Sequence, residues 1–563
     1  MDKPARLGYT HAMLEDLNLD QLQDLAQARE CIVRLLNLVE ELAADNRALR
    51  AEIQQLRDEN NRLKGEQGQP KIKPNRPPKT PSTDHSSEKE RHQPRGWQKT
   101  RKLSQLHIDR DEVLTLDPAR LPPDAEFKGH EPVVVQDLHV THETIRFLKE
   151  KYYAPSTAQA YLAALPPGYQ GQFGPGVKAL ALTLYFGANL SEPKLAEFFH
   201  QAGLQISTGE VSNLLIQNQD RFHAEKDAVY TAGVQSSAWQ QTDHTATRVN
   251  GQNQHCQVVG NPLYTAYFTT AKKDRLSVLR VLQNGRPVTF RFNAETHHLL
   301  ESFHLPDRLR TTVARFPQEV ALNQPAVEQL LAESLPAVGV QQRARLLDAA
   351  AVAAYHAPVE FPVIRLLLCD DAPQFNWVTD ELALCWVHEG RHYKKLEPVV
   401  AAHRVLTEAF QKDFWAFYHE LRHYCTEPAF AERLRLEAEF DGLFRRVTGY
   451  ADLDARIAKT RAKQSCLLRV LAHPEIPLHN NDAELAVRQR VRKRDVSLGP
   501  RTKEGTHAWD TFMTLAATAK KLGVSFYAYI QDRISEARQL PSLANLITER
   551  AKQCPLDGSW TSA

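Results

Sequence analysis

The chain has 563 residues and a formal net charge of +2, from 70 Lys and Arg against 68 Asp and Glu. Its hydrophobic content of 42% and charged content of 25% exclude collagen-like, wholly disordered and disulfide-scaffold proteins. This length corresponds to several domains of roughly 100–200 residues each. Near-neutrality by itself gives no electrostatic reason to expect a polyanionic partner, although a sum of charges does not show whether charge is segregated along the chain.

The cysteines and apolar stretches indicate an intracellular protein without a membrane segment. Seven scattered cysteines form neither a CxxC pair nor a zinc-finger spacing, which predicts reduced thiols. The N-terminus lacks the basic and apolar regions of a signal peptide. The longest apolar stretch, near Val177 to Leu190, is interrupted by Lys178 and is too short to span a bilayer. We therefore expect no membrane partner and a cytoplasmic location.

A heptad repeat occupies much of residues 1–64. Its d positions are Leu35, Leu42, Leu49, Leu56 and Leu63, and its a positions are Ile32, Val39, Asn46, Ile53 and Asn60. This pattern favours two parallel helices, with the buried Asn residues fixing the register. Flanking charges also match across such a dimer, because Asp45, Glu52 and Glu59 would face Arg50, Arg57 and Lys64 of a second copy. The sequence predicts a leucine-zipper homodimer; a single charged helix lying on the protein body is the alternative.

A basic segment follows at residues 65–105. It is rich in Pro, Gln, Ser and Lys and has almost no apolar residues, which predicts a disordered linker. Between Gly65 and Lys102, ten basic and four acidic residues give 10 − 4 = +6. Solubility and nucleic-acid contact are both compatible with such a linker.

Residues 106–230 are predicted to be a mostly helical DNA-binding region. Ser191, Glu192 and Pro193 begin one helix, Gly203 ends it, and the run from Ser207 to Glu210 is typical of a capping box that begins the next helix. Two short helices joined this way indicate either a helix-turn-helix or an ordinary connector between helices, and both interpretations stay open.

Two acids are associated with predicted strands beyond residue 231. The runs SSAWQQTDHTATRV, HCQVVG and LYTAYFTT predict a β-meander with Asp243 on its first strand. The run VIRLLLC predicts an interior strand that ends at Asp370 and Asp371, and ligands bind at such strand ends in open sheets. Asp370 directly follows the strand and is preferred, although the choice between the two stays open.

A third acid begins the helix predicted for HNNDAELAVRQRVRKR. Glu484, Arg488 and Arg492 share one face of this helix, an arrangement that suits a metal-bound phosphate. From Leu485 to Lys503, seven basic residues and one acidic residue give 7 − 1 = +6. Taken singly, the three acids could be a turn residue, a strand-end cap and a partner of the helix dipole. Taken together, their order along the chain matches RNase H-like nucleases.

These motifs resemble those of DDE transposases of the insertion-sequence-66 family. HNNDAELAVRQR and the downstream TAKKLGVSFYAYIQDRI resemble the end of that catalytic domain, TDHT resembles its first acidic motif, and LLLCDDAPQF with LALCWVHEGRHYKKL resembles its second. The chain departs from the family at His244, where an acid is usual, and at Leu485, where Arg is usual. It also lacks the Cys-rich zinc module.

The resemblance implies a multidomain α/β protein with an RNase H-like catalytic core at residues 231–535. Helical insertions are expected at about 285–358 and 400–470, and a C-terminal tail at 536–563. The implied activity is cleavage of transposon ends and strand transfer into target DNA.

The resemblance also implies the site and its partners. Asp243, Asp370 and Glu484 would hold two Mg²⁺ ions, which Mn²⁺ could replace, because phosphoryl displacement of this kind uses two metal ions on hard oxygen ligands. DNA phosphates would contact Arg391, Lys394, Arg488 and Arg492. Expected partners are DNA, a second copy and companion transposition proteins in the bacterial cytosol or nucleoid. The alternative function is a non-catalytic DNA-binding regulator derived from a transposase.

Overall fold

The computed structural model describes residues 24–64, 107–117, 120–122, 125–138, 140–169, 171–357 and 361–556. The predicted linker at 65–105 lies outside the described residues. The first element is a helix of 39 residues, α1 (Leu25–Leu63), and the Asp24 side chain caps it by accepting a hydrogen bond from the Gln27 N–H. None of the described helices is both long enough and apolar enough to cross a membrane.

Helix α1 has one side on the protein body and an apolar stripe in solvent. Leu38 is buried, and the Glu40 carboxylate accepts hydrogen bonds from the Val399 and Val400 N–H groups at 2.9 and 2.7 Å. The a and d positions of the heptad repeat are the exposed ones, as in Leu49 at 55% and Leu56 at 60% exposure. Contact with the body therefore leaves the predicted zipper surface accessible.

The region before residue 175 differs from the prediction. A β-hairpin forms from β1 (Lys151–Ala154) and β2 (Gln159–Leu162), and the described residues from 125 to 150 form neither helix nor strand. A mostly helical region is therefore wrong for this part of 106–230. Tyr152, Tyr153 and Tyr161 favour strands, and Pro155 favours the turn between them.

Helices begin at Pro175, in the order α2 (Pro175–Leu182), α3 (Glu192–Gln201), α4 (Thr208–Ile216) and α5 (Asp220–Gln235). A π-helical turn at Thr183–Gly187 extends α2. The capping box predicted at the start of α4 is confirmed, because the Glu210 N–H donates to Ser207 Oγ at 3.1 Å and the Ser207 N–H donates to Glu210 Oε2 at 2.9 Å. DNA binding by the α3–α4 pair stays a prediction.

The predicted meander is confirmed as β3 (Trp239–Val249), β4 (Gln252–Asn261) and β5 (Tyr264–Thr270). A largely helical segment follows, made of α6 (Arg275–Leu282), β6 (Phe290–Arg291), α7 (Ala294–Ser302), α8 (Asp307–Val313), β7 (Ala321–Leu322), α9 (Gln324–Ser334) and α10 (Val340–His356). The chain then forms β8 (Leu366–Cys369) and β9 (Glu381–Leu384).

Five of these strands form one mixed sheet in the order β5-β4-β3-β8-β9, and β6 pairs with β7 in a separate two-stranded sheet. Neighbours in the meander are antiparallel, whereas β8 is parallel to β3 and β9 is parallel to β8. The first strand of the meander is therefore central, and the carboxyl ends of β8 and β9 lie toward the same edge.

After β9, the described residues form helices joined by loops. They are α11 (Trp386–Lys394), α12 (Ala401–Thr426), α13 (Phe430–Phe444), α14 (Ala451–Arg461), α15 (Gln464–Leu467), α16 (Asn481–Ser497), α17 (Lys503–Lys521), α18 (Phe526–Ile534) and α19 (Leu543–Gln553). The segment predicted as a tail contains α19, which packs against α5 and buries Leu543 and Ile547 completely.

The sheet is covered on both faces and along one edge. Tyr230 of α5 packs against Tyr264 and Phe268 on one face, and α16 covers the other face, where the Tyr267 hydroxyl donates to the Ala486 carbonyl at 3.0 Å. The edge strand β5 is covered by α17. Its N–H groups at positions 265, 267 and 269 donate to side chains of that helix, which are Thr518 at 3.3 Å, Thr514 at 3.0 Å and Asp510 at 2.7 Å.

The spacing of the acceptors on α17 matches the spacing of the N–H donors on β5. Four residues of helix rise about 6.0 Å, and two residues of strand span about 6.8 Å, so acceptors four apart on α17 meet donors two apart on β5. The helix thus satisfies backbone groups that an open edge would offer to another strand.

Two glycine substitutions should have opposite effects on stability. A Cβ at Gly233 in α5 would lie 2.5 Å from the buried Tyr264 ring, whereas a Cβ at Gly442 in α13 would meet nothing within 4 Å. Gly233→Ala should lower the free energy of unfolding by about 1–3 kcal/mol through overpacking. Gly442→Ala should raise it by about 0.5–1 kcal/mol through helix propensity. Chemical denaturation measures both, and equal shifts for the two variants would contradict the α5–sheet packing described here.

Candidate active site

Asp243 and Asp370 meet where the central strands end. The parallel register pairs Gln241 with Leu368, and continuing it by two residues sets Asp243 beside Asp370. Ligand atoms of Asp243, His244 and Asp370 all lie within 4.8 Å of one another. The predicted first and second acids are thus brought together by strand pairing alone.

The surroundings of Asp243 disfavour its charged form. Burial is the main cause that raises the pKa of this carboxyl to about 7, and repulsion from Asp370 and Glu484 adds to it. The His244 N–H donates to Asp243 Oδ1 at 2.7 Å and partly offsets the rise in pKa. A neighbouring cation would lower the pKa of this carboxyl, because a positive charge stabilises its ionised form.

Glu484 reaches the same area from the first turn of α16. Asn480, just before that helix, donates from its side chain to the Thr242 carbonyl at 3.3 Å and so ties the start of α16 to the strand of Asp243. Glu484 is 7% exposed, and its repulsion contributes to the raised pKa of Asp243. Three chain segments that are distant in sequence therefore bring their carboxylates to one edge of the sheet.

Two arginines and one histidine lie around the Glu484 carboxylate. Arg391 of α11 donates to both of its oxygens at 3.2 Å, a bidentate ion pair. Arg488 Nη2 lies 3.8 Å from Glu484 Oε2, and His388 Nε2 lies 3.5 Å from Oε1. The predicted basic residues Arg391 and Arg488 thus reach the third acid.

The other two predicted basic residues lie farther out. Lys394 follows Arg391 by one turn of α11, Arg492 follows Arg488 by one turn of α16, and both side chains are exposed. They continue the basic face away from the acids. His388 is the residue that the sequence interpretation did not select; its place three residues before Arg391 on a helix is the signal that could have found it.

Two comparisons with known proteins found similarity to this chain. A family model described as "Transposase IS66 family" matches residues 366–508, a range that contains Asp370, Arg391 and Glu484. A curated relative, the uncharacterized protein y4jO of Sinorhizobium fredii (strain NBRC 101917 / NGR234), is 30% identical over 325 residues, which are 57% of this chain and 99% of the relative. The chain belongs to the IS66 transposase family. No solved structure matches it.

Within this family member, Asp371 lies apart from Asp243. Its carboxylate forms an ion pair with Lys463, which also lies 3.1 Å from Glu389 Oε2. Glu389 is 2% exposed and accepts hydrogen bonds from Thr460 Oγ1 at 2.5 Å and from Arg456. Asp370 therefore lies with Asp243, whereas Asp371 is an exposed member of an ionic network around the buried Glu389.

That network joins the acidic site to the helices of residues 401–467. Glu389 belongs to α11, the helix that carries Arg391, while its cationic partners Arg456 and Lys463 come from α14 and the residues just after it. Because removing one partner of a buried ion pair leaves an uncompensated charge, the network fixes α11 firmly. The helical segment thus sets the position of the arginine that reaches Glu484.

Two of the seven basic residues counted after Glu484 are buried rather than available to a polyanion. Arg490 is 0% exposed and lies 3.3 Å from Asp510 Oδ1. Lys493 is equally buried and donates to the carbonyls of Tyr185 and Leu190 at 2.6 and 3.1 Å. Burial lowers the pKa of Lys493 to about 7. These residues attach α16 to neighbouring elements, so the local charge of +6 overstates what DNA could contact.

Replacing Asp243 by Asn should stabilise the metal-free protein at alkaline pH. Above about pH 7, Asp243 is ionised in the folded and unfolded states and the folded state carries the full cost of the raised pKa, on the order of 2–4 kcal/mol. Toward pH 4 both states are protonated and the cost disappears. We expect the Tm of Asp243→Asn in EDTA to exceed that of the wild type at about pH 8, with a difference that shrinks on acidification.

Asp371→Asn is the matched control, because it removes the neighbouring carboxylate from an ion pair with Lys463. Its Tm should fall at about pH 8, by the equivalent of roughly 1 kcal/mol for a partly exposed pair. A fall in Tm for both variants would show that Asp243 is not held in a destabilising environment.

Proposed function

We propose that this protein is a DNA transposase that cleaves transposon ends and joins them to target DNA. The observation that carries the proposal is that Asp243 and Asp370 meet where the central strands end, while Glu484, paired with Arg391, is close enough to raise the pKa of Asp243. Membership of the IS66 transposase family supports it. We further propose that the five-stranded sheet and its flanking helices are an RNase H-like core within residues 231–535.

The side chains at this edge fit a divalent cation. Carboxylate oxygens are hard ligands of the kind that Mg²⁺ prefers, and those of Asp243 and Asp370 are within 4.8 Å of each other. Asp243, Asp370 and Glu484 would hold two Mg²⁺ ions, or Mn²⁺ in their place. When bound, such a pair activates the attacking oxygen and stabilises the leaving oxygen of a phosphoryl displacement.

The basic residues of the site would neutralise negative charge and contact the DNA. Arg391 and Arg488 balance the negative charge of Glu484, and together with Lys394 and Arg492 they would contact backbone phosphates. The attacking oxygen, from water or from a 3′-hydroxyl, forms a bond to phosphorus as the bond to the leaving oxygen breaks. The attacking oxygen loses its proton to solvent, and the leaving oxygen takes one up.

Dimerisation would bring two DNA ends together. The exposed stripe of α1 has the heptad pattern of a parallel two-stranded coiled coil, and its partner in this proposal is the same stripe of a second copy. Companion transposition proteins could act with this dimer in the bacterial cytosol or nucleoid.

Removing any one of the three acids should abolish metal-dependent cleavage. We expect Asp243→Asn, Asp370→Asn and Glu484→Gln each to reduce Mg²⁺-dependent cleavage of labelled end DNA by about 10²-fold or more. Asp380→Asn is the control, because Asp380 pairs with Arg365 on the surface at the other end of the same strands. Intact cleavage in the three variants would sink the proposal. An inactive wild type that still binds end DNA would instead favour the regulator.

Charged residues in the heptad stripe should separate the dimer. We expect Leu49→Lys with Leu56→Lys to convert a dimer into a monomer, because two lysines would be buried at d positions of each helix. Leu434→Lys is the control, since Leu434 of α13 is 51% exposed and lies outside the stripe. Light scattering after size-exclusion chromatography measures the mass. A monomeric wild type, or a double variant that remains a dimer, would contradict the coiled coil.

A further inference from the structure

The strands β3 and β4 extend beyond the sheet as a two-stranded ribbon. Strand β8 pairs with β3 only at residues 239–241, and β5 pairs with β4 only from His255 onward. Residues 246–249 pair with 252–255 around a turn at Asn250 and Gly251, whose φ angles are +48° and +76°. We call residues 246–255 the ribbon. Beyond its base it has no further strand on either side among the described residues.

One face of the ribbon is open and polar. Arg248 lies directly opposite Asn253, and Ala246 lies opposite His255, so these four side chains share a face. Arg248 and Asn253 are exposed. The other face is the one that carries Asp243 and is covered by α16, which leaves Thr247 only 1% exposed. The ribbon therefore has one exposed polar face and one covered face.

The chemistry of the ribbon suits a polyanion with hydrogen-bonding edges. Residues 244–256 contain no acid, and they include Arg248 and four amide side chains, at positions 250, 252, 253 and 254. Exposed lysines flank it at Lys272 and Lys273, which follow the β5 residue paired with His255. On the side of α16, Arg501 and Lys503 are also exposed. The acids beside these basic residues are Asp274, Glu504 and Asp495, and Asp495 lies 3.4 Å from Arg494.

We propose that the ribbon enters the major groove of duplex DNA and reads base edges through Arg248 and Asn253. This inference rests on the proposed function, which supplies DNA as the substrate. The major groove, about 12 Å wide, admits a two-stranded β-ribbon, in which Arg pairs with guanine and Asn with adenine. The flanking lysines and arginine would hold the phosphates on either side, as positioning contacts that carry no sequence information.

The position of the ribbon fixes which bases it reads. Five residues separate Asp243 from Arg248, which is about 17 Å along a strand. That length is about half a helical turn of DNA, or roughly five base pairs. The ribbon should therefore read bases about half a turn from the phosphate that the acids cleave.

The ribbon is braced before DNA arrives. The Asn250 N–H donates to the Pro500 carbonyl at 3.0 Å, and Arg494 donates to the Ala246 carbonyl. Gly499, with φ +88°, approaches so closely that a Cβ there would lie 2.5 Å from the Arg248 carbonyl oxygen. A rigid reading element loses little conformational entropy on binding, which favours affinity.

The test compares binding of full-length protein to two fluorescent duplexes of equal length at one salt concentration. One carries the terminal repeat that flanks the gene, and the other has the same composition in scrambled order. We expect Arg248→Ala with Asn253→Ala to reduce the ratio of specific to non-specific affinity by about tenfold or more. Arg308→Ala with Gln329→Ala is the control, because these two exposed residues lie on α8 and α9, away from the sheet edge.

A charge-preserving variant distinguishes recognition of bases from electrostatic attraction to the DNA backbone. Arg248→Lys keeps the positive charge and loses the bidentate fork, so it should retain non-specific binding while the specificity ratio falls. In the wild type, base changes about half a turn from the cleaved phosphate should weaken binding, and the double variant should be insensitive to them.

The outcomes distinguish the two proposals. If the wild type prefers end DNA and the double variant keeps the same ratio, the ribbon proposal is overturned while the transposase proposal stands. If the wild type binds neither duplex, both are overturned. Equal Tm values for wild type and variants establish that the substitutions act on binding and not on folding.

Discussion

The burial of the Asp243 carboxylate beside two further acids is the constraint on which the rest of the structure depends. Asp243 and Asp370 are set side by side by the pairing of two parallel strands, and Glu484 is brought to them by a helix that crosses the same face of the sheet. Like charges this close raise the free energy of the folded state unless a cation balances them. The raised pKa of Asp243 comes chiefly from its burial, and repulsion from Asp370 and Glu484 adds to it.

The helices of residues 401–467 help to balance this negative charge by positioning an arginine. They supply Arg456 and Lys463, which hold Glu389 and thereby α11, and α11 aims Arg391 at both oxygens of Glu484. The same helical segment receives α1 through the Glu40 carboxylate at the start of α12. A route of packed contacts thus connects the exposed heptad stripe to the acidic edge, so the arrangement of two copies and the geometry of each site would be built on one scaffold.

Much of this arrangement could be predicted from sequence where the signal was local. The alternating run around Asp243, the continuous apolar run before Asp370 and the charged run that contains Glu484, Arg488 and Arg492 each define an element and place an acid on it. Contacts between distant elements have no such signal. Charge counting could not show that Arg490 and Lys493 are buried, because their partners Asp510, Tyr185 and Leu190 come from other elements. The contact of α17 with the edge strand β5 could not be predicted for the same reason. The hairpin at 151–162 was not predicted because its Ala and Gln residues weaken the strand pattern.

The central claim is that Asp243, Asp370 and Glu484 together hold two divalent cations on DNA. Anomalous diffraction from crystals of the protein with end DNA and Mn²⁺ tests it most directly. The account predicts two manganese peaks at this site, with Asp243, Asp370 and Glu484 as their protein ligands. Manganese bound only elsewhere, or peaks at this edge that Glu484 does not contact, would contradict it.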